Sequence, residues 1–206
     1  MTAHEVNAFF DQYVSGYILA DIEREIAWAK SSQTVATPKR TYSGAGNYLC
    51  ALGLLCYTEF MGAILLNTFS ESSHHLFNAC FALLGKDYDA FDQLLSREPS
   101  FNDPNKPLSV YEVFRCGMAH EYFIKKSGVI FMLGGNIHMA ATTDIDRPTL
   151  HPAPSMLIGP VSSGLGRLED GRYYFIVEKY YEDFSNACNL IRQTILSRPD
   201  PTIPEA

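Results

Sequence analysis

Arg115 and His120 are the two residues of this chain whose types and spacing most plainly suit them to chemistry. They lie in Ser109 to Phe123 (SVYEVFRCGMAHEYF). An imidazole takes up or releases a proton near neutral pH. A guanidinium stays cationic and grips an anion with a planar fork of donors. Together they suit proton transfer on an anionic group whose charge grows in the transition state. The R-x4-H string alone carries little. With nine arginines and six histidines, and four to six residues allowed between them, roughly 0.8 such strings arise by chance. The setting adds weight, because an arginine inside an apolar helix needs a partner or a task. The alternative is structural. Arg115 then pairs with Glu112 or with Glu59 on a facing helix, and His120 is a hydrogen-bonded core histidine.

Other chemistries find less support. There is no C-x-x-C, no H-E-x-x-H and no H-x-E followed by paired cysteines, so no metal site is expected. His74 and His75 are adjacent and point about 100° apart on a helix, so they read as surface histidines near a helix start. Gly44-Ala45-Gly46 and Gly164-Leu165-Gly166 lack the rest of any phosphate-loop fingerprint and read as loop glycines. No G-x-S-x-G occurs. Cys116 and His120, four apart, make a weak nucleophile–base pair without an orienting third group.

The elements that must hold Arg115 and His120 follow from periodicity. His4 to Lys30 carries apolar residues at steps of three and four, which predicts an amphipathic helix. At roughly 40 Å it is long for one small core, so part of it is expected to dock on a second copy. Ser31 to Gly46 reads as a surface loop. Asn47 to Thr68 is apolar on more than one side and reads as a central helix. A third helix, capped by Ser70 or Ser72, runs through Leu84 to Gly85, and a short one covers Asp87 to Leu95. Arg97 to Pro107 is a loop. Ser109 and Glu112 form a capping box that starts the Arg115 helix. Gly128 to Leu133 and Ile137 to Ala140, around Gly134-Gly135-Asn136, predict a β-hairpin. Asp170-Gly171 predicts a second between Leu165–Glu169 and Arg172–Val177. Asp144 to Gly166 is loop-rich, and a last helix covers Glu178 to Leu196. The expected organisation is a single mainly α domain over 1–206. It has a long N-terminal helix (1–30), core helices with the motif (47–123), a β-containing insert (128–177) and a closing helix (178–197).

Composition sets bounds. The chain has 206 residues, 47 % hydrophobic and 19 % charged, which suits a globule with a sizeable core and excludes a mainly disordered chain. Sixteen Lys and Arg against 23 Asp and Glu give −7. General affinity for nucleic acid is excluded, and any such role must rest on a local positive patch. The longest apolar run, Tyr48 to Leu66, is interrupted by Thr58 and Glu59, so no membrane span is expected. The start MTAHEVNAFF has no signal-peptide pattern. Cys50, Cys56, Cys80, Cys116 and Cys188 lie in apolar, helical surroundings and read as reduced core residues. The expected location is cytoplasmic.

Within that arrangement, Ser109–Phe123 resembles the signature of the HEPN superfamily, small all-α domains with an R-x4–6-H motif on a late helix. The resemblance spans about Gly46 to Leu196, but only the motif helix is specific. It implies an antiparallel helical bundle and a homodimer. It also implies a metal-independent ribonuclease without cofactor, often a toxin neutralised by a nucleotidyltransferase antitoxin. Other members are noncatalytic RNA- or protein-binding modules. Arg115 and His120 match the two fixed positions, although Cys116 stands where many nuclease members have a polar residue. Lys125 and Lys126, just past the motif, are the nearest candidates for substrate phosphates. RNA supplies its own nucleophile, the 2′-OH, and the product is a 2′,3′-cyclic phosphate. Residues five apart on an α-helix differ by about 140°, so the helix must distort near Gly117, or two copies must combine Arg115 of one with His120 of the other; the second arrangement, a composite site at a homodimer interface, is the one that fits the resemblance and is expected. A third expectation is a small-molecule pocket between Tyr173, Tyr174, Phe175 and Phe131 and the motif helix.

Overall fold

Val6, Phe10, Val14, Ile18, Ile22 and Ile26 recur every fourth residue, and all six are buried. On a regular α-helix, four-residue steps drift by about 40° each and would wind the stripe around the helix. This helix changes pitch instead. It runs as α1 (Ala3–Phe9), a wider-turned segment π1 (Phe10–Leu19) and α2 (Ala20–Lys30). In π1 the amides bond five residues back, each turn holds more residues, and the stripe stays on one side. Thr2 and Glu5 close a capping box at its start. Phe9, Tyr13 and Tyr17 form an outer row, ring on ring at 5.5 and 5.9 Å.

The computed structural model describes residues 2–30, 47–125, 128–132, 162–168 and 171–204, with the backbone of 34–36 and 41–43. After α2, the segment expected to be only a loop contains two short antiparallel strands, β1 (Thr34–Ala36) and β2 (Thr41–Ser43). Their β-branched and aromatic residues suit that pairing. The other helices are α3 (Asn47–Leu66), α4 (Ser73–Phe81), α5 (Lys86–Leu95), a second wide-turned helix π2 (Tyr111–Glu121) and α6 (Val177–Leu196). The sheet strands are β3 (Val129–Phe131), β4 (Leu165–Arg167) and β5 (Tyr173–Ile176). The fold is mainly helical, and one core joins side chains from α1 through α6.

The central helix α3 is long and apolar enough to cross a membrane by composition alone. Here it packs against α2, α4, α6 and π2. Its polar residues are matched inside the protein. The Thr58 hydroxyl bonds the Leu54 carbonyl at 2.8 Å and the Tyr180 hydroxyl at 2.9 Å. Ser72, not Ser70, caps α4 by accepting from the His75 amide at 3.3 Å. Gly85 takes φ +130° between α4 and α5, a conformation a side chain would strain.

The sheet departs from expectation. β5 lies in the middle, in the order β3-β5-β4. β4 and β5 form the expected antiparallel hairpin, turned at Gly171 with φ +85°. β3 pairs parallel to β5, Val129 opposite Tyr174. Its expected hairpin partner Ile137–Ala140 lies outside the described residues, as does most of Asp144–Gly166. Tyr173 and Phe175 are fully buried, and Phe114 lies 5.9 and 6.4 Å from their rings. These rings fill the core instead of walling an open pocket. Gly164 and Gly166 are packing residues. A Cβ on Gly164 would meet the Tyr180 amide nitrogen at 2.6 Å, and one on Gly166 the Tyr174 hydroxyl at 2.3 Å.

α3 and α4 meet backbone to backbone at Gly62, where a Cβ would lie 1.7 Å from the Leu76 carbonyl oxygen. Backbone cannot give way as a side-chain tip can. Gly62→Ala is therefore expected to destabilise the protein by about 2–3 kcal/mol through overpacking, read as a lower urea midpoint at unchanged slope.

Candidate functional site

The motif helix starts where the capping residues place it, but the box is only half formed. The Glu112 amide donates to Ser109 Oγ at 3.2 Å. The Glu112 carboxylate instead accepts from the Phe101 amide at 2.9 Å, which ties the preceding loop down. Asp92 on α5 accepts the Val110 amide at 2.7 Å.

Tyr111 to Glu121 wind as a π-helix, the register in which amides bond five residues back, as Tyr122 does to Gly117 at its end, while the Val113 amide near its start still bonds Ser109 four residues back. Residues five apart thus sit about one turn above each other, where an α-helix would rotate them apart. Arg115 and His120 are such a pair, so the distortion required by the five-residue spacing is present within one chain. Gly117 permits the close approach that follows. A Cβ there would sit 2.7 Å from the Phe123 carbonyl oxygen, where the chain folds back past the helix end. Tyr122 closes the helix at φ +61°, in the left-handed region usually filled by Gly or Asn, and its ring is 78 % exposed.

His120 is exposed. Arg115 is not free. Its Nε donates to Glu59 Oε2 on α3 at 3.0 Å, and the two side chains are only 17 % and 18 % exposed. This is the Glu59 partner that the structural alternative names; Glu112 is engaged elsewhere. Burial works against the guanidinium's charge, but Cys56, Glu59 and Tyr111 outweigh it and hold Arg115 above its ordinary pKa. Burial pushes the Cys116 thiol up despite the nearby Tyr111 hydroxyl and Arg115 guanidinium. Cys116 is thus a poor thiolate, which weighs against the Cys116–His120 nucleophile pair. Burial likewise raises Cys50 to about 11 and Cys188 to about 12, as befits inert core thiols.

Lys125 departs from its expected role. It is 7 % exposed, its ammonium lies 2.7 Å from Glu121, and it sits 5.2 Å above the Phe101 ring. So placed, it neutralises a local acid and presents no open charge to a phosphate. Lys126 lies outside the described residues. Arg167 is paired with Glu98 at 2.6 Å. Among the described residues no group of three or more His, Cys, Asp and Glu is placed to hold a metal.

The structure adds neighbours that spacing did not reveal. Tyr111, one α-turn before Arg115 in sequence, packs its ring 5.1 Å from that of His74 on α4. Tyr48 of α3 donates to the Met118 carbonyl. The motif helix is thereby clamped between α3 and the start of α4. Comparison with protein-family models, curated proteins and solved structures finds no match for this chain.

The Arg115–Glu59 pair yields a stability prediction. Arg115→Met strands a half-buried carboxylate and is expected to cost about 1–3 kcal/mol. Adding Glu59→Leu should recover part of that loss in urea unfolding, because neither charge then remains unpaired.

Proposed function

We propose that this chain is a HEPN-like, metal-independent ribonuclease in which Arg115 and His120 act on a single phosphodiester. The supporting observation is the five-residue register of the motif helix, with His120 open to solvent and Arg115 one turn below it. Arg115 holds the phosphate and offsets its added negative charge. His120 transfers a proton to or from the ribose oxygens. Glu59 holds the guanidinium in place until a phosphate competes for its free donors. The reading extends to a cytoplasmic homodimer, with a nucleotidyltransferase antitoxin as a candidate partner. Tyr13, Tyr17, Tyr122 and Phe123 are exposed apolar residues that a second copy would cover.

The Glu59 ion pair favours a second reading. With Arg115 neutralised, Lys125 buried and a net charge of −7, the domain is a noncatalytic RNA- or protein-binding module that uses the same residues to hold α3 against the motif helix. Cleavage assays separate the two. The nuclease reading expects single-stranded RNA to be cut in EDTA to 2′,3′-cyclic ends, and an all-DNA strand to be left intact. His120→Ala should slow cleavage by about 10²–10⁴-fold while shifting Tm by no more than about 2–4 °C. Intact RNA with folded wild-type protein would leave the noncatalytic module.

A further inference from the structure

The cleavage proposed above needs two proton transfers. One group removes the 2′-OH proton as O2′ bonds to phosphorus. Another protonates the 5′-oxygen as the P–O5′ bond breaks. The products are a 2′,3′-cyclic phosphate and a free 5′-OH, with no metal, oxidant or co-reactant. His120 supplies one of these groups, and the R-x4-H motif contains no second.

We infer that His74 is the second proton-transfer group of this site; the inference rests on the ribonuclease reading. Tyr111, Arg115 and His120 follow one another along the motif helix at spacings of four and five, close to one turn each in its wide register. His74 packs on Tyr111 at 5.1 Å and is itself exposed. On that face His74 lies against Tyr111, one turn before Arg115, and His120 follows one turn after it. A phosphate held by the guanidinium would lie between them, as a base and an acid on opposite sides of phosphorus require.

Glu59 is less suited, since its Oε2 already accepts from Arg115. Tyr111 is part-buried, and burial raises its pKa. His74 is also oriented. Its Nε2 lies 3.0 Å from the Asn78 side-chain amide, which leaves Nδ1 as the nitrogen available to substrate. The neighbouring His75 is exposed too, but its backbone amide serves the Ser72 cap, and no ring contact joins it to the motif helix among the described residues. His75 is the internal control.

The test uses the full chain and two RNAs. A cleavable oligoribonucleotide is assayed in EDTA with wild type and with His74→Ala, His120→Ala and His75→Ala. The expected result is a loss of about 10²–10⁴-fold for each of the first two and wild-type rate for His75→Ala. One of the two losses should be rescued by a 5′-bridging sulfur leaving group, which needs no protonation and so marks the acid. A 2′-O-methyl RNA, which cannot be cut, is then titrated while the histidine ring signals are followed by NMR. The His74 and His120 signals should move together. Cleavage by wild type with His74→Ala fully active overturns the role of His74 and leaves the ribonuclease reading standing. No cleavage, with both rings responding to the uncleavable RNA, overturns the chemistry but keeps His74 in the binding surface. A His74 signal unmoved by RNA that moves His120 overturns the inference in either case.

Discussion

The five-residue hydrogen-bond register of the motif helix is the constraint on which the site depends. An α-helix over Tyr111–Glu121 would send Arg115 and His120 to different faces, and a second copy would be needed to complete a joint site. The wider turn brings them onto one face within one chain. Wide-turned helices are uncommon and recur at functional positions. This one is held open from several sides. Tyr48 takes the Met118 carbonyl, Gly117 admits the returning chain, and Tyr122 ends the helix in a left-handed turn.

The Arg115–Glu59 pair then decides how the guanidinium is used. A half-buried arginine without a partner would be costly, so Glu59 is the condition for placing Arg115 there at all. The same contact ties α3 to the motif helix, which makes stability and any anion affinity draw on one interaction. Weakening the pair would free the cation but loosen the helix that aims it. That coupling also explains why charge statistics read poorly at this site. Among the described residues Arg115 is matched with Glu59, Lys125 with Glu121 and Arg167 with Glu98, so these three cations offer little of the positive patch that a strongly acidic chain would need for RNA.

Helix positions were legible because periodicity and caps are local. Ser72 and Ser109 mark real starts, and Gly171 a real turn. The parallel pairing of β3 with β5 was not legible, because the partners are about 45 residues apart and nothing in GVIFML names its neighbour. The wide register left a trace that steps of three and four obscured. Strict four-residue spacing, as in Val6 to Ile26 and in Val113/Gly117 and Phe114/Met118, marks a helix turning more slowly than an α-helix. Glu59 was legible as a partner by charge alone. His74 was not, since only the packing of α4 brings it against Tyr111.

The central claim is that one guanidinium and one imidazole face the same phosphate. A double-mutant cycle on the affinity for uncleavable 2′-O-methyl RNA, using Arg115→Ala, His120→Ala and the double variant, tests it without requiring turnover. Shared contact predicts a coupling of about 0.5–3 kcal/mol between the two substitutions. Strictly additive losses would mean that the two side chains meet RNA separately, and the joint site would not exist.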